Sequence, residues 1–468
     1  MKKNWYYKPL LVNKNKKLST ILLFVVMLFP GILINGQQQT EVYKLRLQIP
    51  LLDLPENTTL PHVYPSMQQS LAWGQNFYDL AFWGIDELGD ALVDPDKGEG
   101  SNFRLILNKS GKYLAGLAFA RYGSELPIPM GVWAHEEFHR SVLGINGLEP
   151  KNGNWIFSRW DGTVYGISDE ELHQLKESDL KDLLYSYVAG VHSENLFTRE
   201  GVIDDFFNTR KFYKNPFYLY NAYYVWNYFN FSTSSASDSV KIIAPEHESD
   251  IPAERDFAGS DLTAWALDMF LPEQSYAMRD SFPDGEGLNR RVGFGDLPAE
   301  AQDFLLQQKK LVWINFINPA IFMINRINLS ENFSFNFLIQ YAPTHFGNDI
   351  SWILPFKVHQ NNFLISLHSY NNYHNTFWGI DLGLFQRPFS RRFELGAIVH
   401  GWVQPETQSF FDEKGKIGGG LEMNTGYKFS HNLSANISLT GKTAGWIIGN
   451  PFLDDNIGLR VGLRYNVF

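Results

Sequence analysis

From about residue 330 to its last residue the chain alternates apolar and polar side chains, a pattern compatible with little besides extended strands. Phe333, Phe335, Phe337, Ile339 and Tyr341 share one parity, and Asn332, Ser334, Asn336 and Gln340 the other. Leu421, Met423, Thr425, Tyr427 and Phe429 oppose Glu422, Asn424, Gly426 and Lys428. Leu433, Ala435, Ile437 and Leu439 oppose Ser434, Asn436, Ser438 and Thr440, and Leu459, Val461, Leu463, Tyr465 and Val467 oppose Arg460, Gly462, Arg464 and Asn466. Successive side chains of a strand point to opposite faces, so each set occupies one face. A half-buried antiparallel sandwich uses such strands, and so does a transmembrane barrel, whose apolar set meets lipid while its polar set lines the lumen. Length separates the two. Runs such as Phe393 to Val403 and Gly418 to Phe429 are about 10 to 12 residues, the reach of a tilted membrane-spanning strand rather than the five or six of a soluble one. Polar clusters at Gln360-Asn361-Asn362, Asn371-Asn372, Ser390-Arg391-Arg392 and Ser430-His431-Asn432 punctuate the runs. Weaker strands at 351–359, 362–370 and 376–386 bring the number to about eight to ten, and an even number closes a small barrel.

Between about residues 60 and 310 helical periodicity prevails, with capping and breaking residues. The expected fold is therefore α+β: a mainly helical domain over 40–310, then an antiparallel, transmembrane-type β-barrel of about eight to ten strands over 315–468. Ahead of both, Lys2, Lys3, Lys8, Lys14, Lys16 and Lys17 precede the apolar run Ile21 to Phe29, the Pro30-Gly31 break and the exit at Asn35-Gly36. That is the build of a secretory signal peptide over residues 1–36, too short in its apolar core for the roughly 20 residues of a spanning helix. Removing six lysines and no acid takes the formal charge from −10 to −16. An acidic, exported chain with no long Lys/Arg run beyond residue 17 has no phosphate-tracking surface, so nucleic acid is excluded as a partner class. The absence of cysteine excludes disulfides, thiolate zinc sites, iron–sulfur ligation and cysteine nucleophiles. The chain ends on Phe468 directly after a strand, which resembles the terminal aromatic of outer-membrane β-barrel proteins, although the apolar parity of that strand ends on Val467. The resemblance implies a Gram-negative outer membrane with its lipid around the barrel. Because an even-stranded barrel returns both ends to the same side, the helical domain is expected in the periplasm.

Within the helical part, Pro129 to Gly144 reads as one helix, with Pro near its start and Gly just past its end. It carries His135-Glu136-Glu137-Phe138-His139. The i, i+4 spacing puts both imidazoles on one face, where they can share a cation, and Glu136 is rotated beside them. This segment resembles the zincin metallopeptidases over roughly residues 130–200. The resemblance implies zinc held by His135 and His139, with Glu136 as general base; charged Glu137 and Arg140 depart from the usual pattern of that helix. Catalytic zinc takes three protein ligands and keeps a fourth position open, so a third donor is required. A histidine six residues past the second is missing, since Ile145 stands there. The helix expected over about 178–197 offers Glu194, with His192 as substitute; its Ala189-Gly190 step permits close approach to another helix, and Glu194 lies four residues further on the same face. A Glu194 ligand would complete the His-His-Glu set of gluzincins.

Several other features sit near this chemistry. Residues 154–166 form an expected hairpin turning at Asp161-Gly162, by analogy an edge along which an extended peptide can pair. Tyr165 or Tyr187 can donate to a developing oxyanion. Ser260 or Asp261 can cap the helix that follows, and Asp256 or Asp261 can accept from a motif histidine and set its tautomer. The aromatic run 215–231 is too apolar on every side for a solvent-facing helix, and Leu311 to Ile327 reads equally as a linking helix or a first strand. The expected function is a zinc-dependent metallohydrolase, a metallopeptidase acting on a peptide or protein, tethered to the outer membrane and facing the periplasm. The alternative is a non-enzymatic outer-membrane barrel, structural or transporting, with an N-terminal plug or partner-binding domain.

Overall fold

A computed structural model describes residues 43–57, 64–95, 101–123, 130–152, 162–209, 212–283 and 285–468; the expected signal peptide lies outside the described residues. In chain order these form β1 (Leu45–Leu54), helices α1 (Met67–Leu92), α2 (Ser101–Ala118) and α3 (Met130–Ile145), a hairpin of β2 (Lys151–Asn152) and β3 (Val164–Tyr165), then α4 (Asp169–Ser178), α5 (Leu180–Asp204), α6 (Asn215–Ser232), α7 (Ser235–Ile243), α8 (Asp261–Phe270) and α9 (Ala299–Leu311). The strands β4 (Ile327–Ser330), β5 (Phe333–Phe335), β6 (Leu338–Thr344), β7 (Gly347–Val358), β8 (Asn361–Asn371), β9 (Thr376–Pro388), β10 (Phe393–Pro405), β11 (Gly415–Lys428), β12 (Leu433–Lys442) and β13 (Asn456–Val467) follow. Leu311 to Ile327 turns out to be the end of α9, two short 3-10 turns and the start of β4.

From β7 to β13 every strand pairs antiparallel with the next, and β5 and β6 lie end to end along β7 as one strand interrupted at Asn336-Phe337. An eleventh strand comes from the segment expected to be helical: β1 pairs with β13, Leu45 opposite Val467. The path runs from β1 to β4, and those two end strands do not pair with each other among the described residues. A free strand edge is a row of unpaired backbone groups, and here a helix answers it. Asn76 of α1 accepts from the Gln48 N–H at 2.8 Å and donates to the Gln48 carbonyl, while Pro50 has no N–H to leave unpaired.

The two parities seen in the sequence occupy opposite faces, in the reverse of the usual order for a soluble sheet. Ser334, Gln340, Ser438 and Arg464 are buried, while Val399, Leu421, Met423, Ile437 and Leu439 are exposed. On the buried face a charged belt crosses four strands. His368 bridges Asp349 (2.9 Å) and Asp381 (3.0 Å), Asp381 meets His400 at 2.7 Å, and Arg199 of α5 reaches Asp381 at 3.4 Å. Helix α5 is tied to this face again where Asn195 Nδ2 donates to the Tyr341 carbonyl and Gln340 Nε2 donates to the Asn195 carbonyl. One apolar cluster runs through both parts, from Phe138 and Val188 in the helices to Tyr341 and Trp446 in the sheet region, and Thr40–Phe468 forms one compact unit.

Glu56, just past β1, places its carboxyl against the Ser141 hydroxyl of α3 and accepts from the Met67 N–H at 2.9 Å. Burial, reinforced by Asp53, pushes its pKa up to about 8 in spite of Arg140. Such an acid keeps its proton in the fold after the unfolded chain has lost it. Stability should therefore fall as pH rises from the ordinary glutamate value to about 8, by up to about 1.4 kcal/mol per pH unit, and level off above. Chemical denaturation across that range should give a flatter profile for Glu56→Gln; an unchanged slope would mean the carboxyl is ionised in the fold.

Candidate metal centre

Helix α3 forms where the sequence places a helix, and its i, i+4 histidines share a face turned to α5. The two imidazole centroids are 4.8 Å apart. Their Nδ1 atoms are engaged by fixed acceptors: His135 Nδ1 meets Glu194 Oε1 at 3.1 Å, and His139 Nδ1 meets the Ser186 carbonyl. Those contacts set the proton on Nδ1 and leave the Nε2 lone pairs for a shared target. The residue at that target is Asp261, with Oδ2 at 3.2 Å from His139 Nε2 and 3.7 Å from His135 Nε2. His135, His139 and Asp261 are buried, and their donor atoms lie within 4.8 Å of one another.

The roles of the two acids are thus exchanged relative to the sequence expectation. Glu194, expected as third donor, holds the far nitrogen of His135; Asp261, expected as a tautomer-fixing acceptor or a cap, faces both Nε2 atoms. The carboxylate of Asp261 is free for this because Ser260 is the N-cap of α8 and no side-chain cap bond is made there. Helix α8 is held in place seven residues on, where Asp268 accepts from Lys176 (2.9 Å), the Tyr187 hydroxyl (2.9 Å) and Arg279 (2.8 Å). The segment leading into α8 is pinned to β3 by Phe257 N–H to the Val164 carbonyl (2.8 Å) and Gly166 N–H to the Ala253 carbonyl (2.6 Å). The same bonds occupy one edge of β3, and the expected Asp161 turn lies outside the described residues. Tyr187 is thereby committed to Asp268, and Tyr165 is half-buried on β3.

Three observations fit this pocket to a metal ion. His139 Nε2 is buried with no hydrogen-bond partner among the described residues. Gly190 of α5 leaves the space beside the rings: a Cβ there would overlap Nε2 of both histidines, so the glycine is required by close approach rather than by backbone conformation. The electrostatics ask for a cation. Burial opposes a charge on His135, yet Glu194 and Asp261, with Glu136 adding to them, outweigh it and hold the imidazole well above its ordinary pKa. Burial likewise opposes a charge on Asp261, yet the two histidines hold its carboxyl far below the usual range. The donor set, two imidazoles and one carboxylate, is one that holds a divalent ion.

Around these donors, Glu136 is half-buried while His135, His139, Glu194 and Asp261 are buried, so it is the acid of the group with access from outside. The Tyr228 hydroxyl of α6 donates to Asp261 Oδ2, and its ring lies 5.8 Å from that of His135. The aromatic run is a helix covered along most of its surface, with Tyr223 and Asn227 exposed, and its Tyr224 and Tyr228 wall the site. Glu137 and Arg140, the charged departures in the motif helix, fasten it: Arg140 Nε donates to Glu137 at 2.6 Å, Asn152 of β2 donates to Glu137 at 3.0 Å, and Arg140 also reaches the Pro65 carbonyl. His192 is bound to the Pro343 carbonyl at 2.7 Å, and burial brings its pKa down to about 4. Asp256 accepts from the Gly259 N–H at 3.1 Å. Asp261 was visible in the sequence only as an acid ahead of an apolar run, which is equally the signature of a helix start. Comparison with family models, curated proteins and solved structures finds no match to this chain. What the site does must be read from its geometry.

Proposed function

We propose that the protein is a zinc-dependent metallohydrolase, acting as a peptidase on a peptide or protein, tethered to an outer membrane with its metal centre on the periplasmic side. The observation that carries the enzymatic part is the convergence of His135, His139 and Asp261, drawn from two elements, on one buried point beside the more accessible Glu136. Three protein donors with a fourth position left over is the arrangement of a catalytic rather than a structural zinc. Bound there, the ion supplies Lewis acidity, polarising a carbonyl and lowering the pKa of water toward about 7.

The chain's own residues do the rest. Glu194 and the Ser186 carbonyl keep the two imidazoles in the tautomer that presents Nε2, and Tyr228 steadies Asp261. Glu136 accepts the proton of the attacking water and returns it to the leaving amine. Phe257 beside His139, and Tyr224 and Tyr228 beside His135, keep bulk water from the donors. The membrane part rests on the inverted sheet: charges such as Asp381 and Arg464 inside, Val399, Met423 and Ile437 outside, on strands of 10 to 14 residues from β7 to β13. No helix of the described residues is long and apolar enough to cross a membrane.

Elemental analysis of the purified protein should find about one zinc per chain, and an unfolded polypeptide should be cleaved in a way that chelation stops and zinc restores. The protein should fractionate with outer-membrane lipid. A chain purified without stoichiometric metal, and inert with zinc added, would end the hydrolase reading.

A further inference from the structure

The sheet is not the only inverted element. Helices α1 and α2 pack against each other with one ion-pair cluster at their contact, in which Lys112 is covered and Asp90 half-exposed. Lys112 of α2, 6% exposed, donates to Asp86 (2.6 Å) and Asp90 (2.7 Å) of α1, and buried Asn108 donates to the Gly89 (3.0 Å) and Val93 (2.8 Å) carbonyls. While Leu71, Tyr78 and Phe82 of α1 are buried, other apolar residues point outward: Leu88 is 65% exposed on α1, and Phe103 (70%), Ile106 (62%) and Leu114 (63%) are exposed on α2. A helix pair in water is expected to hide such large apolar side chains and to solvate a lysine such as Lys112. Covering an ammonium while large apolar side chains stay exposed is sensible where the outside is less polar than the inside.

Position adds a second argument. The same α1 takes the free backbone groups of Gln48 in β1 through Asn76, so the pair begins beside the edge where the sheet would otherwise continue, and α2 goes on to pack against α6. The exposed apolar surface of the sheet therefore has a neighbour of the same chemistry at its open edge. We infer that α1 and α2 form a helical section of the lipid-facing wall, seated against acyl chains beside β1 where a closed barrel would have further strands. Arg104 and Lys109, exposed on α2, would reach toward headgroups along their aliphatic stems.

This inference rests on the outer-membrane reading, and one experiment separates the two. The chain has no cysteine, so Leu114→Cys, Leu88→Cys, Ile437→Cys and Ser239→Cys each carry a single thiol for an environment-sensitive fluorophore. These positions are exposed, so the fold should tolerate them. In vesicles of phosphatidylcholine with brominated acyl chains, the labels at 88, 114 and 437 should be strongly quenched and the label at 239 should not. Quenching at 437 with a water-like signal at 88 and 114 overturns the helical wall and leaves the tether standing. Labels at 88 and 114 that are dry but unquenched, however far the protein is diluted in lipid, would mean that protein covers them, whether a second copy or the chain's own leading segment, and would equally overturn it. No quenching at 437 brings down the tether and this inference with it.

Discussion

Asp261→Ala should yield a folded chain that purifies without its metal, whereas Glu194→Gln should keep the metal with a Kd about 10- to 100-fold weaker. The difference follows from which atom each carboxylate addresses. Asp261 Oδ2 lies 3.2 Å and 3.7 Å from the two Nε2 atoms, so its loss leaves two imidazoles and an incomplete donor set. Glu194 meets His135 at Nδ1, the far side of the ring, at 3.1 Å, where it orients the ring and raises its basicity. A 10- to 100-fold weakening corresponds to about 1.4 to 2.7 kcal/mol, in keeping with a charge-assisted hydrogen bond rather than a coordination bond. Zinc titration against a competing chelator reads both variants on one scale. The opposite ranking, with Glu194→Gln empty and Asp261→Ala loaded, would restore the His-His-Glu set and refute the assignment of Asp261.

Glu136→Gln should retain its zinc and its stability and lose turnover by about 100- to 10,000-fold, the range expected for removal of a general base. The substitution keeps size and one hydrogen-bonding oxygen while removing the acceptor for the proton of water. Glu136 lies on α3 beside the histidines rather than among the buried donors, so metal content should be untouched and KM should change little. Measuring kcat on an unfolded polypeptide, together with zinc content on the same preparation, makes the outcome unambiguous. Full activity in a loaded Glu136→Gln protein would rule out this residue as the base.

The strands of the second half were legible because their signal is local. Leu421 and Met423 against Glu422 and Asn424 specify a strand whatever lies around them, and β7, β8 and β9 fall on the three weaker runs read from the sequence. The helix at 130–145 was legible for a similar reason, from Pro129 and its spaced histidines, while those at 180–204 and 215–232 were expected over about 178–197 and from the apolar run 215–231. β1 was not. Its alternation, Leu45, Leu47, Ile49, is short and breaks at Pro50, and what makes it a strand is pairing with a segment some 420 residues further on. The ring of strands expected from parity and length is an open path among the described residues. Whether edges meet depends on what each edge finds in space, and on β1 the backbone of Gln48 finds Asn76 of α1.

The candidate metal centre divides in the same way. His135, Glu136 and His139 follow from helical geometry alone, since residues four apart on a helix must share a face. The choice between Glu194 and Asp261 could not, because carboxylates from two different helices compete for the same histidines and the winner is decided by distances of a few ångströms in space. Those distances come from Asp268 clamped by Lys176, Tyr187 and Arg279, from the bonds of β3 to residues 253 and 257, and from a glycine at 190 that lets the helices approach. Periodicity is a property of neighbours along the chain and survives in the sequence. Convergence of side chains over a hundred residues apart belongs to packing and exists only once the chain has folded.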